Sequence, residues 1–241
     1  MPIYIPAGEA RLAGDLTVPP GASGLVLFAH GSGSSRFSSR NQFVARVLEQ
    51  HGLATLLIDL LTPDEEALDR RTGHLRFDIP LLATRLVAIV DWLKRQAPFD
   101  LLRPAPGDAE RRQVNELPVG IFGASTGGGA ALRAAVARPG DVTAVVSRGG
   151  RPDLAGSVLP DVTTPTLLIV GGEDMPVIAL NRDAMPRMRG EVSLEIIPGA
   201  THLFEEPGAL ERVAKLAATW FGRYVRSGSR PAADTSRQHR A

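Results

Sequence analysis

Ile121-Phe122-Gly123-Ala124-Ser125-Thr126-Gly127-Gly128-Gly129-Ala130-Ala131-Leu132 decides the architecture of this 241-residue chain. An apolar run enters a five-residue turn and leaves into a small, alanine-rich segment, which predicts strand, tight turn and helix. The turn reads Gly-x-Ser-x-Gly. Side chains two residues either side of the serine would collide with the neighbouring strand and helix, so glycine occupies both places. Ser125 is thereby held in a strained conformation at the carboxyl end of a strand and above a helix N-terminus. The helix dipole and the free N–H groups there favour negative charge. In this strand–turn–helix context Ser125 reads as a nucleophile rather than an incidental serine of a glycine-rich turn.

Similar apolar runs lie on either side. Leu25 to Ala29, Ala54 to Ile58, Val119 to Phe122, Ala144 to Val146, Thr166 to Val170 and Leu194 to Ile197 are short and mostly uninterrupted. Such runs suit strands buried on both faces, as in a parallel sheet. Arg11 to Val18 alternates and precedes the first crossover, which predicts an antiparallel edge strand with Ile3 to Ile5 beside it. Helical spacing covers Asn41 to Gln50, the segment around Leu82, Leu86, Ile89, Val90 and Leu93, then Gly127 to Ala137, Val177 to Met188 and Ala209 to Tyr224. The alternation implies right-handed crossovers: an α/β fold with a doubly wound, mostly parallel sheet, an antiparallel N-terminal edge and helices on both faces. Thr62 to Asp78 and Pro98 to Pro118 are polar or proline-rich and read as loops, either lids over a cleft or solvated excursions. One domain is expected over 1–226. Residues 227–241 carry little to bury and read as a disordered tail.

A serine nucleophile needs a base, and the base needs an orienting acid. After Ser125 only His202 and His239 remain, and His239 falls in the expected tail. His202 follows the last strand, where a general base can be delivered. Thr166 to Val170 runs into Gly171-Gly172-Glu173-Asp174, which offers Asp174 as the acid and Glu173 as its close rival. Asp141, Asp153 and Asp161 sit in other loops. The first parallel strand leads into His30-Gly31-Ser32-Gly33-Ser34-Ser35. Its main chain, through Ser32, is a candidate oxyanion donor beside the amide of Thr126, and His30 then holds the loop. Arg148 and Arg151 flank Gly149-Gly150 at a strand end, where they bind an anionic group or pair with surface acids.

On these residues the chain resembles the dienelactone hydrolase family within the α/β-hydrolases. The bacterial branch carrying HGSGSS, a GASTGGG elbow and an SRGGRPDLA segment is the most similar; that branch also occurs fused to phosphoribosyltransferase domains. The matching stretches are 30–35, 123–129, 147–155, 171–174 and 199–206, within a likeness spanning most of 1–225. One departure matters: dienelactone hydrolases proper use a cysteine nucleophile, whereas this chain has Ser125 and no cysteine. The resemblance therefore implies an acyl-transfer hydrolase acting on a carboxylic ester or lactone, without carrying over the dienelactone substrate. A catalytically silent binding or regulatory domain, and an acyltransferase or perhydrolase, are the rival readings.

Composition narrows the partners. A net charge of +1 gives no global field for nucleic acid or an anionic membrane. The absence of cysteine excludes disulfides and thiolate metal sites, no histidine pair has ligand spacing on one helix, and no phosphate-loop lysine follows Gly127-Gly128-Gly129. No cofactor and no metal are expected. The N-terminus lacks the basic and apolar regions of a signal peptide, and no apolar run reaches the roughly 20 residues of a membrane span, so a soluble cytoplasmic protein acting on a small molecule is expected.

Overall fold

Strands whose residues are apolar almost throughout need cover on both faces, and they have it. In a computed structural model that describes residues 2–95 and 114–225, β3 (Leu25–Ala29), β4 (Ala54–Ile58), β5 (Val119–Ala124) and β7 (Thr166–Gly171) are buried at every position. With β1 (Pro2–Ala7), β2 (Ala10–Thr17), β6 (Val142–Arg148) and β8 (Val192–Ile197) they form one eight-stranded sheet of order β1-β2-β4-β3-β5-β6-β7-β8. β1–β2 and β2–β4 pair antiparallel; every other pair is parallel. β1 therefore takes the outer edge, and β2, read as an edge strand, is flanked on both sides.

Side-chain alternation sends neighbouring residues to opposite faces. Ile121 joins one core with α3 (Ile79–Arg95) and α4 (Thr126–Ala137), among them Leu86, Ile89, Val90 and Leu132. Phe122 joins the other with α1 (Ser39–Gln50) and α6 (Ala209–Tyr224), among them Val44, Leu48, Val213 and Phe221. Each fully buried Leu, Ile or Phe contributes about 1.5–3 kcal/mol, so the two faces share the stabilisation of the sheet. α5 (Met175–Ala184) is shorter than the expected 177–188 helix, because the chain tightens into a 3₁₀ turn at Met185–Arg187. A further 3₁₀ segment, Pro152–Asp161, has no counterpart in the sequence reading.

Thr62–Asp78 corrects an expectation. It is an ordered helical hairpin rather than a loop: α2 (Pro63–Thr72) followed by a 3₁₀ turn at Leu75–Phe77. Local chemistry accounts for it. Thr62 and Glu65 form a reciprocal capping box, Pro63 opens the helix, and Gly73 closes it in the left-handed conformation. Buried Arg85 of α3 grips Glu65 with a two-pronged ion pair. Within Pro98–Pro118, the described part begins at Val114 and contains a 3₁₀ turn at Val114–Glu116; the rest of that segment and the 227–241 tail lie outside the described residues.

The chain leaves β3 in one direction toward β4 and, after crossing back, leaves β5 in the other toward β6. The carboxyl ends of β3 and β5 thus flank the crevice where the winding reverses, which is where open α/β sheets place their ligands.

Candidate active site

Ser125 sits between β5 and α4 with φ 51° and ψ −120°, a left-handed region that side-chain-bearing residues rarely occupy. The turn is held from three sides. Ser125 N–H donates to Arg148 O at 3.1 Å, and Ser125 O accepts from Gly128 N–H at 3.0 Å and Arg151 N–H at 3.1 Å. A Cβ on Gly127 would stand 2.2 Å from Ala29 O, so only glycine lets α4 start this close to β3. The serine hydroxyl does not cap α4, which leaves it uncommitted above the helix N-terminus.

Asp174 lies at the start of α5, after β7, and its Oδ2 is 2.6 Å from His202 Nδ1. The carboxylate is only 12% exposed, whereas the neighbouring Glu173 is exposed to solvent. Backbone bonds explain which residue is selected: Glu173 N–H is pinned to Ala200 O at 2.9 Å and Asp174 N–H to Gly171 O at 3.1 Å. Glu173 and Asp174 are thereby separated, and Asp174 is the one joined to the imidazole. With Nδ1 engaged, Nε2 is the His202 nitrogen available to exchange a proton. No direct hydrogen bond joins His202 to Ser125 Oγ among the described residues; the two are linked through the Arg148–Gly149 turn. A Cβ on Gly149 (φ 52°) would lie 3.4 Å from both Nδ1 and Cε1 of His202.

Thr126 is buried, and its Oγ1 accepts the Ser32 N–H at 3.0 Å. The two residues expected to supply oxyanion donors are therefore together, but the Ser32 amide is already engaged. Its use by an oxyanion requires Thr126 Oγ1 to share or release it. His30 holds the loop as expected: its Nε2 accepts Leu60 N–H at 3.0 Å and its Nδ1 lies 3.0 Å from Gly31 O. Burial pushes its pKa down, which keeps the ring neutral in this arrangement. Beside this loop, against α2 and its 3₁₀ turn, lies a cavity of about 360 Å³.

The two arginines separate. Arg151 closes on Asp153 with two bonds of 2.9 and 2.7 Å. Arg148, at the end of β6, is 7% exposed, and its guanidinium lies over the Phe204 ring, 5.7 Å from the centroid. It makes no ion pair among the described residues, and its Nε is buried without a partner. Burial and the charge of Arg40 lower its pKa to about 10. Neither arginine lines the cavity. Arg148→Met is expected to raise the melting temperature by about 2–4 °C, corresponding to about 1 kcal/mol for a chain of this size. The reason is that it removes a buried cation while keeping apolar contact with Phe204. A lowered melting temperature would show the charge to be compensated.

Asn181 was not anticipated. It is fully buried on the inner face of α5 and donates to Gly150 O at 3.0 Å, bracing the turn beside His202. Its spacing with Val177, Ile178 and Ala184 was the available signal: a polar residue in an apolar stripe.

The chain is 58% identical to a dienelactone hydrolase from Anabaena variabilis ATCC 29413 of known structure, with TM-score 0.85, over 94% of this chain and 98% of that one. The chain belongs to the dienelactone hydrolase family. No protein-family model matches it. Est1E from Butyrivibrio proteoclasticus, at 17% identity and TM-score 0.69 over 92% and 99% of the two chains, shares the α/β-hydrolase fold. A Mycobacterium tuberculosis (strain CDC 1551) protein carrying a phosphoribosyl transferase name is 54% identical over 219 residues, which is 91% of this chain and 45% of that protein. The chain thus spans about half the length of the curated relatives it matches. Within the dienelactone hydrolase family, this chain has a serine at the elbow and no cysteine. Among the described residues no cluster could hold a metal ion, and no helix is long and apolar enough to cross a membrane.

Proposed function

We propose that the chain is a serine hydrolase that cleaves a carboxylic ester or lactone through an acyl-enzyme on Ser125. The observation that carries the reading is the 2.6 Å Asp174–His202 contact beside a strained serine above a helix N-terminus. His202 Nε2 takes the Ser125 proton as Oγ attacks the carbonyl carbon. Asp174 keeps the other proton on Nδ1 and stabilises the imidazolium. The amide of Thr126, with that of Ser32 once freed from Thr126 Oγ1, receives the negative charge of the tetrahedral intermediate. His202 then returns the proton to the leaving alcohol, and a water activated by the same nitrogen releases the acid.

The test is a fluorophosphonate probe followed by peptide mass spectrometry. Stoichiometric labelling of Ser125, prevented by prior incubation with a short ester, is expected. An intact chain that takes up no label would favour a silent binding domain instead.

A further inference from the structure

The lining of the cavity beside the loop from His30 to Ser35 decides what it can receive. Ser32 joins it directly to the elbow, since the Ser32 amide is bonded to Thr126. Neither Ser125 nor His202 lines it. In the hydrolase reading His202 protonates the leaving alcohol, so the alcohol faces His202 and the acyl group extends the other way, past the oxyanion loop. Ser32, which lines the cavity and is bonded to Thr126, assigns it in that reading to the acyl side.

Its charges cancel. Asp69 is 3% exposed and spends its carboxylate on Leu75 N–H at 2.7 Å, Arg76 N–H at 3.2 Å and Arg76 Nε at 2.5 Å. Arg76 also donates from Nη2 to Asp69 O at 2.8 Å, which leaves Nη1 as its uncommitted donor. Glu66 faces the same space, 4.0 Å from Arg70, as a carboxylate with accepting capacity to spare. The hydroxyls of Ser32, Ser34 and Ser35 add groups that both donate and accept. An anionic group entering here meets Glu66, and a cationic one meets Arg76 and Arg70. An alkyl chain finds only Leu61 and Leu82, and would strip water from Glu66 and Arg76 without replacing its hydrogen bonds. A neutral group bearing several hydroxyls satisfies donors and acceptors together, and about 360 Å³ holds a single sugar-sized moiety. The His202 side differs in kind: Met175 and Leu203, which follow the acid and the base, are exposed and apolar.

We propose that this cavity selects esters or lactones whose acyl group is neutral and rich in hydroxyls, with Glu66, Arg76 Nη1 and the serine hydroxyls as its recognition groups. The wall is preformed, because the capping box and the Arg85–Glu65 ion pair hold α2 in place. The proposal rests on the serine hydrolase reading.

The experiment compares kcat/KM for D-galactono-1,4-lactone, γ-valerolactone and methyl hemisuccinate in a pH-indicator assay. p-Nitrophenyl acetate serves as a reference that does not fill the cavity. The hydroxylated lactone is expected to be favoured over γ-valerolactone by at least about 10-fold, since a site built to hydrogen-bond hydroxyls rejects analogues lacking them. Glu66→Gln and Ser34→Ala, both conservative changes, are each expected to reduce that preference, read as the ratio of kcat/KM for the two lactones, several-fold. Equal rates for the two lactones, or a preference that survives both substitutions, overturns the proposal while the hydrolase reading stands. A preference for methyl hemisuccinate overturns it in favour of anion recognition. Loss of turnover with every substrate, the acetate included, overturns the hydrolase reading and this proposal together.

Discussion

Ser125→Ala is expected to reduce ester turnover by about 10⁴-fold or more while leaving the fold in place. The magnitude follows from removing the attacking atom of a unit whose members act together, with the oxyanion donors and binding contacts left to supply only residual catalysis. The fold should survive because the elbow is held by main-chain bonds, from Ser125 N to Arg148 O and from Gly128 N and Arg151 N to Ser125 O, none of which uses the hydroxyl. Ser125→Gly sharpens the test. At φ 51° a glycine is unstrained and an alanine is not, so the glycine variant should be the more stable by about 1 kcal/mol and equally inactive. Progress curves with p-nitrophenyl acetate and thermal melts check both parts. Turnover retained in either variant would remove Ser125 from the chemistry. A glycine variant no more stable than the alanine would show that the elbow stores little strain.

The second large effect separates two adjacent acids. Asp174→Asn is expected to lower kcat by about 10⁴-fold, whereas Glu173→Gln is expected to change it by less than about 3-fold. Asp174 Oδ2 contacts His202 Nδ1 at 2.6 Å. An asparagine there can present its amide N–H to Nδ1, which moves the imidazole proton to Nε2 and leaves no lone pair for the serine proton. Glu173 is exposed to solvent, and its main-chain N–H is bonded to Ala200 O. Comparable losses in the two variants, or a larger loss at Glu173, would remove Asp174 from the proposed role. The pH dependence of kcat in the Asp174→Asn enzyme adds a readout that a merely structural role would not move.

The strands of the interior were readable because complete burial leaves a local mark: Leu25 to Ala29 and Leu167 to Val170 have no polar position to offer solvent on either face. α3 was readable for the complementary reason, one apolar stripe of Leu82, Leu86, Ile89, Val90 and Leu93, all buried. Thr62–Asp78 misled because composition and capping pointed in opposite directions. Most of α2 is polar and only Asp69 is buried along it, so no apolar periodicity marks it as a helix. The Thr62-x-x-Glu65 box, Pro63 and Gly73 were its visible signals, and the Arg85–Glu65 ion pair that secures it joins residues 20 apart. Asn181 and Gly149 escaped for a similar reason: each matters through what stands against it, Gly150 O in one case and the His202 ring in the other.

The sequence by itself determined the buried strands and most of the helices, the strand–turn–helix around Ser125 and the histidine placed directly after the last strand, because each depends on backbone sterics and burial within a few residues. Only the tertiary structure decided the strand order, the contact of Asp174 rather than Glu173 with His202, the bond between Ser32 and Thr126, the pairing of Arg151 with Asp153 while Arg148 has no ion pair among the described residues, and the cavity between the His30–Ser35 loop and α2. Those outcomes depend on which distant segments meet and on which way a turn points a side chain. A shift of one residue or a few tenths of an ångström changes them without altering any local pattern.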